Sequence, residues 1–434
     1  MPAETVFALS SGRLPSGVAV VRLSGPQAGT TLEALAGEQP PPRLARYRVL
    51  RDPVSGEMLD RALVLFFPGP NSVTGEDVAE LHLHGGRAVV AGVLEALSRL
   101  PGLQPAEPGA FTRRAHANGK MDLAEVEGLA DLIAAETQAQ RRQALAQASG
   151  ALSRRVEGWR EGLVSALALV EASIDFSDEG DVPEDLTRQA NAWIAPLLAE
   201  IHAALADAGR GERVRDGLVV AIAGRPNAGK STLLNRLAGR EAAIVSDIPG
   251  TTRDVLEVHL ELAGQAVTLL DTAGLRETAD VVEAEGVRRA LKRAEMADLV
   301  LWLSPEKELP PDNLGTALKV RSKCDDGHDG STGTAWLPLS ATTGAGMEGL
   351  LRAIEQHAST LAGGEPALIT RERQRLALEK AALHLQRATR EFAGLEELRA
   401  EELRLAARAL DRTIGRVDVE DVLDTLFSTF CIGK

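Results

Sequence analysis

Gly224-Arg225-Pro226-Asn227-Ala228-Gly229-Lys230-Ser231 is the stretch whose reading decides the fold. It follows the apolar run Leu218-Val219-Val220-Ala221-Ile222-Ala223 and leads into Thr232-Leu233-Leu234-Asn235-Arg236-Leu237. Strand, glycine-rich turn and helix in that order are the setting in which G-x-x-x-x-G-K-S means a phosphate-binding loop. Glycines let backbone amides turn toward an anion, and the helix N-terminus adds partial positive charge. Lys230 is expected to reach the β- and γ-phosphates of a nucleotide, and the Ser231 hydroxyl to ligate Mg²⁺. The flanking pattern sets aside a chance match in a glycine-rich turn.

Outward from this loop, the 434 residues exceed one ordinary core and predict two to three domains. A hydrophobic content of 44% with 25% charged residues is ordinary soluble globular composition. Aromatic residues make up 3%, with Tyr47 the single tyrosine, so stacking on bases is not expected as a major binding mode. The net charge of −14, without a basic tract, means that a nucleic-acid partner requires a local basic patch or a second, more basic protein. Two cysteines, Cys324 and Cys431, point to a reducing cytosol and away from a disulfide framework. No signal peptide and no membrane-spanning apolar run is read, so a soluble, cytoplasmic protein is expected.

To about Asn118 the chain reads as a compact α/β module. Val18 to Leu23 and Arg61 to Phe67 are predicted strands ended by Gly/Pro turns. Asp77 to His84 alternates apolar and polar residues, the pattern of a strand with one wet face. A helix is predicted from Ala88 to Leu100, stopped by Pro101-Gly102. From Lys120 an alanine-rich helical texture runs to about Ile174, and the acidic segment Ser177 to Pro183 is read as a loop. A further helix is expected from Leu186 to Asp207, ending at Gly209-Arg210-Gly211. The nucleotide section spans about Asp216 to Ala362, and helical texture returns from Arg371. A helical region interrupted by a complete α/β unit suggests insertion into one bundle, with two independent helical modules as the alternative. The expected boundaries are 1–118, 119–213, 214–364 and 365–434.

Further elements follow the phosphate loop. Gly250-Thr251-Thr252-Arg253-Asp254 precedes a strand from Val255 to Leu262, and a threonine there can complete Mg²⁺ coordination. Val267 to Leu270 reads as a buried strand running into Asp271-Thr272-Ala273-Gly274. Asp271 is expected to hold Mg²⁺ largely through water, and the Gly274 amide to sense the γ-phosphate. Leu299 to Leu303 reads as another parallel strand, followed by Lys319-Val320-Arg321-Ser322-Lys323-Cys324-Asp325 and Leu337-Pro338-Leu339-Ser340-Ala341.

Together these resemble the five sequence elements of a GTPase domain. Asp325 is the expected guanine reader, because one carboxylate can accept from both N1–H and the 2-amino group. The Ser340-Ala341 loop is expected to support the base. Ser322 departs from the Asn-Lys-x-Asp pattern, and weaker guanine affinity with retained selectivity is expected from its shorter side chain. Leu275 stands where many GTPases carry a water-orienting glutamine. One reading is a slow timer or a pure binder; the other is that orientation and charge come from elsewhere. Asn227 is placed to ligate a monovalent cation beside the phosphates, and Glu283 to position water.

With these residues in view, the chain resembles the MnmE (TrmE) family of tRNA-modifying GTPases over essentially its whole length. Carrying the resemblance are the phosphate loop, Arg240-Glu241-Ala242-Ala243-Ile244-Val245 before Gly-Thr-Thr-Arg-Asp, Asp-Thr-Ala-Gly-Leu-Arg-Glu, and the terminal Phe430-Cys431-Ile432-Gly433-Lys434. It implies an α/β multidomain protein: an N-terminal folate-binding and dimerising domain, a discontinuous α-helical bundle and an inserted Ras-like P-loop GTPase domain. It also implies GTP hydrolysis when the G domains of a homodimer meet across K⁺. The implied K⁺ ligands are Asn227, Ser246, Ile248 and Thr251, the Mg²⁺ ligands Ser231 and Thr252, and the catalytic carboxylate Glu283. The implied GTP contacts add Ala228, Gly229, Lys230 and Thr232, then Asp247, Pro249 and Gly250, then Asp271, Thr272, Ala273 and Gly274, and finally Lys323, Asp325, Ser340 and Ala341. Folate contacts carry over to Arg22, Glu80, Lys120 and Lys434. The family works with the FAD protein MnmG, adding an aminomethyl or carboxymethylaminomethyl group to C5 of the wobble uridine of certain tRNAs. A tetrahydrofolate derivative supplies the one-carbon unit.

Without the resemblance, Arg22 reads as a surface charge, Glu80 as the solvent face of its strand and Lys434 as a frayed terminus. Cys431 lies fourth from the end, but Gly433 and Lys434 do not suit a prenylation box. It is taken as a functional thiol of open role, and Cys324 as packing. His82 and His84 share a strand face, for which a surface reading is preferred to a metal pair. Arg141-Arg142 and Arg154-Arg155 read as solvated helix surface. Two other functions compete: a ribosome-assembly GTPase, and a non-catalytic nucleotide switch.

Overall fold

The computed structural model describes residues 4–175, 186–225, 227–239, 257–271, 297–311, 316–325, 335–392, 395–417 and 420–434. The chain packs as two compact units, Met1–Ala130 with Asp411–Lys434, and Asp131–Leu410. The terminal stretch thus groups with the first 130 residues rather than with the remaining helices.

In the first unit, β1 (Thr5–Leu9), β2 (Ser16–Ser24), β3 (Arg46–Arg51), β4 (Met58–Phe67), β5 (Val78–Gly85) and β6 (Leu103–Pro105) form one sheet. Its order is β3-β4-β5-β2-β1-β6. All pairings are antiparallel except β1 with β6. Alternation along β2 turns Ala19, Val21 and Leu23 to one face, where they join Leu81 and Leu83 of β5. Helices α1 (Ala28–Ala36) and α2 (Arg87–Ser98) cover that face through Leu32, Leu35, Val93 and Leu97. Each such side chain contributes about 1.5–3 kcal/mol on burial. The opposite face carries Val6, Ala8 and Ala106 against Phe111 of α3 (Ala110–Ala117).

Strands β1 and β3 were not anticipated, for different reasons. Val6, Phe7 and Ala8 are all buried, so β1 shows no alternation. Strand β3, Arg-Tyr-Arg-Val-Leu-Arg, is a charged edge strand with little apolar signal. The unit ends with the start of α4 (Leu123–Ala134), whose Leu123 and Val126 pack against Leu426, Phe427 and Phe430 of the C-terminal segment.

The second unit begins with α5 (Gln138–Ala148), α6 (Ala151–Asp175) and α7 (Leu186–Asp216). The segment 177–183 lies outside the described residues. Helix α7 does not stop at Gly209-Arg210-Gly211 but continues to Asp216. The glycine is there for contact: a Cβ on Gly211 would stand 1.9 Å from the Ile369 carbonyl oxygen and 2.8 Å from Ala367 Cβ. Arg210 also stays helical, its guanidinium paired with both carboxylate oxygens of Asp207 at 2.6 and 2.5 Å.

Strands β7 (Leu218–Gly224), β8 (Glu257–Leu262), β9 (Gln265–Asp271), β10 (Leu299–Leu303), β11 (Ala317–Arg321) and β12 (Leu337–Pro338) follow, with α8 (Lys230–Ala238) and α9 (Met347–Ala362). Their order is β12-β11-β10-β7-β9-β8, parallel except for the β8–β9 hairpin. The central strands are apolar on both faces, as a sheet covered by helices requires: Leu233 and Leu237 of α8 and Leu350 and Ile354 of α9 bury against Ile222, Leu301 and Val320. After α9 come α10 (Glu372–Arg390) and α11 (Glu396–Ile414), with α12 (Glu420–Ser428) in the first unit. Helical segments from either side of the nucleotide section pack together. Arg375 meets Glu212 at 3.2 Å, Arg399 donates to Asn191 at 2.6 Å and Arg404 meets Glu171 at 2.8 Å.

Gly211→Ala tests the close contact of α7. Helix propensity alone favours alanine by about 1 kcal/mol, whereas overpacking a tight site typically loses about 1–3 kcal/mol. With a carbonyl 1.9 Å from the new methyl, a lower melting temperature is expected by calorimetry. A rise would show that the 367–369 segment gives way freely.

Candidate functional site

The phosphate loop leaves the sheet between β7 and β10, where the strand order reverses, the place at which open parallel sheets bind ligands. Gly224 has φ 148°, and a Cβ there would stand 2.3 Å from the Leu303 carbonyl oxygen. Asn227 and Gly229 adopt positive φ values of 61° and 97°, so the loop curls back on itself before α8 begins at Lys230. Lys230 is buried, and its Nζ donates to the carbonyls of Gly224 (2.7 Å) and Arg225 (2.9 Å). That arrangement holds a cation directly over the loop. Ala228 is buried, while Asn227, Ser231 and Thr232 are exposed on the loop and the first turn of α8.

Across from it, Asp325 and Ser340 are brought together although 15 residues separate them. Ser340 is fully buried, and its Oγ donates to Asp325 Oδ1 while accepting from the Thr343 N–H at 3.0 Å. Leu339 N–H donates to Arg321 O and Cys324 N–H to Leu339 O, which zips the two loops together. Ala341 follows Ser340 in this turn, and Lys323 takes a left-handed φ of 60°. Cys324 Sγ lies 3.4 Å from Arg321 O, consistent with a packing role.

The two halves are joined by a residue that sequence reasoning missed. Arg236, on the last turn of α8, donates to the carbonyls of Ala341 (3.0 Å), Thr342 (2.6 Å) and Thr343 (3.0 Å). Its fork ties the helix that follows the phosphate loop to the loop that follows β12. Ser246, Asp247, Ile248, Pro249, Gly250, Thr251 and Thr252, together with Thr272, Ala273, Gly274, Leu275 and Glu283, lie outside the described residues. Asp271 ends β9 beside Ile222 of β7, and its side chain lies outside them too.

In the other unit, Arg22 and Glu80 sit opposite one another on β2 and β5. Arg22 donates to Glu80 Oε1 from Nε (3.0 Å) and Nη2 (2.9 Å), and its guanidinium lies 5.8 Å from the centre of the Phe111 ring. Neither residue is the solvated surface charge that alternation suggests: their side chains are 24% and 17% exposed. His82 Nε2 lies 3.0 Å from Glu80 Oε2, and His84 Nδ1 lies 2.8 Å from Asp60 Oδ1. Both histidines are thus engaged with carboxylates. Among the described residues no group of three or more His, Cys, Asp or Glu could hold a metal ion.

Lys434 is docked, not frayed. Its carbonyl accepts from the Phe111 N–H at 3.2 Å, and Ile432 pairs with Pro108 in an antiparallel bridge. Gly433, at φ 98°, lies so close to β1 that a Cβ would stand 2.1 Å from Leu9 O. Phe111 therefore touches both Arg22 and the chain end. Cys431, within the same docked segment, is exposed. Lys120 is exposed, its Cε beside Gly75. The neighbouring Thr74 meets Ser24 at 2.7 Å, and Glu76 pairs with Arg114 at 2.6 Å. The arrangement places the Arg22 guanidinium and its paired carboxylate, Glu80, beside the Phe111 ring.

Burial on its own would raise the Glu80 pKa, but the hydrogen bond from His82 and the charge and hydrogen bonds of Arg22 outweigh it. The carboxyl is held below its ordinary 4.5. A depressed carboxyl contributes stability above the unfolded pKa and loses it as pH falls through the folded value. The stability difference between wild type and Glu80→Gln should therefore shrink as thermal melts are taken from neutral pH to about pH 3. A difference independent of pH would show that Glu80 does not titrate in its pair.

Comparison with known proteins agrees across the whole chain. The profile of the MnmE helical domain matches residues 123–431, and that of the GTP-binding protein TrmE N-terminus matches residues 5–120. The tRNA modification GTPase MnmE of Azorhizobium caulinodans is 67% identical over 432 residues, covering 99% of each chain. The protein of that name from Methylorubrum populi is 57% identical over 436 residues, covering 99% of this chain and 98% of its own. By these matches, the chain belongs to the MnmE (TrmE) family of tRNA modification GTPases.

Proposed function

We propose that this protein hydrolyses GTP in order to drive modification of C5 of the wobble uridine in certain tRNAs. It acts as a cytoplasmic homodimer together with the FAD protein MnmG and a tetrahydrofolate one-carbon donor. The observation that carries the reading is the presence of two built sites in a chain similar to MnmE proteins over its full length: Lys230 with the Asp325–Ser340 pair, and Arg22–Glu80 beside Phe111 and the docked Lys434. No helix among the described residues is long and apolar enough to cross a membrane.

Each residue has a defined task in this reading. The loop amides and Lys230 bind the phosphates, and Asp325 reads guanine while Ser340 holds it in place. Ser231 and Thr252 hold Mg²⁺; Asn227, Ser246, Ile248 and Thr251 hold K⁺, which when bound supplies positive charge beside the phosphates. Asn227 on the loop and Ser231 in the first turn of α8 are both exposed residues. Leu275 cannot orient water, so Glu283 takes that role. In the other unit, Arg22, Lys120 and Lys434 pair with folate carboxylates, and Glu80 accepts from the pterin ring.

GTP turnover should rise in K⁺ relative to Na⁺ alone, measured by phosphate release; equal rates would remove the cation from the mechanism. Glu283→Ala should bind GTP as wild type does while turnover falls by about 10²- to 10⁴-fold, the range for a general base. Full activity in that variant would reject its role. A tRNA nucleoside profile showing normally modified wobble uridines after loss of the gene would reject the biological assignment.

A further inference from the structure

Helices α6 and α7 lie side by side, and a groove of about 730 Å³ runs along their seam. On the α6 side, Gly158 and Gly162 line it, four residues apart and so on one helical face. The packing of α6 on α7 requires neither glycine. A Cβ on Gly158 would meet nothing within 4 Å. One on Gly162 would stand 3.7 Å from Leu197 Cδ1 and 3.8 Å from Trp193 Cε3, which are ordinary contacts. Glycine is nonetheless among the poorest helix formers, so the open slot weakens the helix and calls for a use outside it. On the α7 side the groove presents Trp193, 51% exposed.

The groove is also polarised. Arg154 and Arg155, both exposed, lie at its start; Arg154 donates to Ser149 O, and Arg155 meets Glu200 at 3.3 Å. Glu200 also accepts from the indole of the buried Trp159 at 2.9 Å, so its charge is already engaged. A guanidinium carries several N–H donors, and both arginines keep capacity for an anion. The other carboxylate of the lining, Glu161, stands about two turns further along α6, beside Gly162.

We propose that this groove receives an unpaired stretch of the tRNA substrate. A base stacks on Trp193 in the slot left by the two glycines, and a neighbouring phosphate pairs with Arg154 and Arg155. The inference rests on the reading of tRNA as substrate and adds the surface that meets it. A chain of net charge −14 repels RNA at long range, so any contact has to be local. Guanidinium forks match phosphate bidentately, and an indole face accepts any base. Glu161 and Ser165 can accept from an exocyclic amino group. From Arg155 to Gly162, over which Trp193 stands, is seven residues of helix, about 10 Å, a span that adjoining nucleotides cover. An apolar peptide helix would fill the slot but leave both arginines without an anion.

The test titrates fluorescently labelled bulk tRNA with the full chain, alone and together with the FAD protein, at several salt concentrations. Trp193→Ala should weaken tRNA binding by about tenfold while GTP turnover and melting temperature stay at wild-type values. Arg154→Gln combined with Arg155→Gln should lower affinity and flatten the slope of log affinity against log salt by about one. Gly158→Gln puts a good helix former in place of a poor one, so it should raise the melting temperature and yet weaken tRNA binding by filling the slot. A merely structural glycine would not move the two in opposite senses. Unchanged tRNA affinity in Trp193→Ala or in Gly158→Gln overturns the proposal. So does loss of the FAD protein with tRNA affinity intact, which would make the groove a protein interface, or a wild-type chain that binds no tRNA in either setting. Wobble uridines that lack the modification in a strain without the gene, alongside unaffected Trp193→Ala binding, would defeat the groove alone; normally modified ones would reject the underlying reading.

Discussion

The carbonyl oxygen of Leu303 occupies the space that any side chain at residue 224 would need, 2.3 Å from its Cβ position. That contact requires glycine at the end of β7 and presses the phosphate loop against the end of β10, its parallel neighbour. The loop then curls through Asn227 and Gly229 at positive φ, so that Lys230 both starts α8 and reaches back to the carbonyls of Gly224 and Arg225. Helix α8 carries the constraint onward, because Arg236 grips three successive carbonyls of the 341–343 turn. The same turn holds Ser340, which fixes Asp325. A single close approach of two backbones thus sets the loop that carries Lys230, and one helix transmits that setting to the Asp325–Ser340 pair.

The Arg22–Glu80 region rests on a different device. A sheet covered on one face by α1 and α2 would ordinarily leave its other face wet. Here Phe111 and the docked terminal segment lie against that second face, and the strand charges beneath them are partly buried. Partial burial would raise the pKa of Glu80 and disfavour its charge, and the hydrogen bonds and charges of His82 and Arg22 more than offset that. The site is consequently a paired set of groups rather than an isolated acid.

Legibility in the sequence followed the range of the interactions. The phosphate loop, the strands around it and the three early strands of the first unit were readable because each signal is completed within about ten residues. The end of α7 was misplaced because Gly209 and Gly211 look like a stop, whereas Gly211 answers to Ile369, 158 positions further along the chain. Arg22 and Glu80 looked solvated because alternation reports the strand and says nothing about Phe111 or Lys434. Arg236 carried no signal, since one arginine at the end of an amphipathic helix is ordinary. Local pattern recorded the elements; contacts between distant segments decided which polar residues became part of a site.

Helix α5 shows how such contacts hold an inserted domain. Gln143 and Gln147 are four residues apart and so lie on one helical face. Gln143 donates to Gly211 O, on the chain entering the nucleotide section, and Gln147 donates to Ala367 O and Leu368 O, on the chain leaving it. At the helix start, Ala139 N–H donates to Gly264 O in the β8–β9 turn, and Gln140 donates to Arg215 O. Each bond adds only about 1 kcal/mol net, but leaving a buried carbonyl unpaired costs about 1–3 kcal/mol. These bonds are therefore worth more as constraints than as sources of stability: displacing α5 would break several of them together. Because the entering and leaving segments meet directly at Gly211 and Ile369, one short helix is enough to hold both crossings in register.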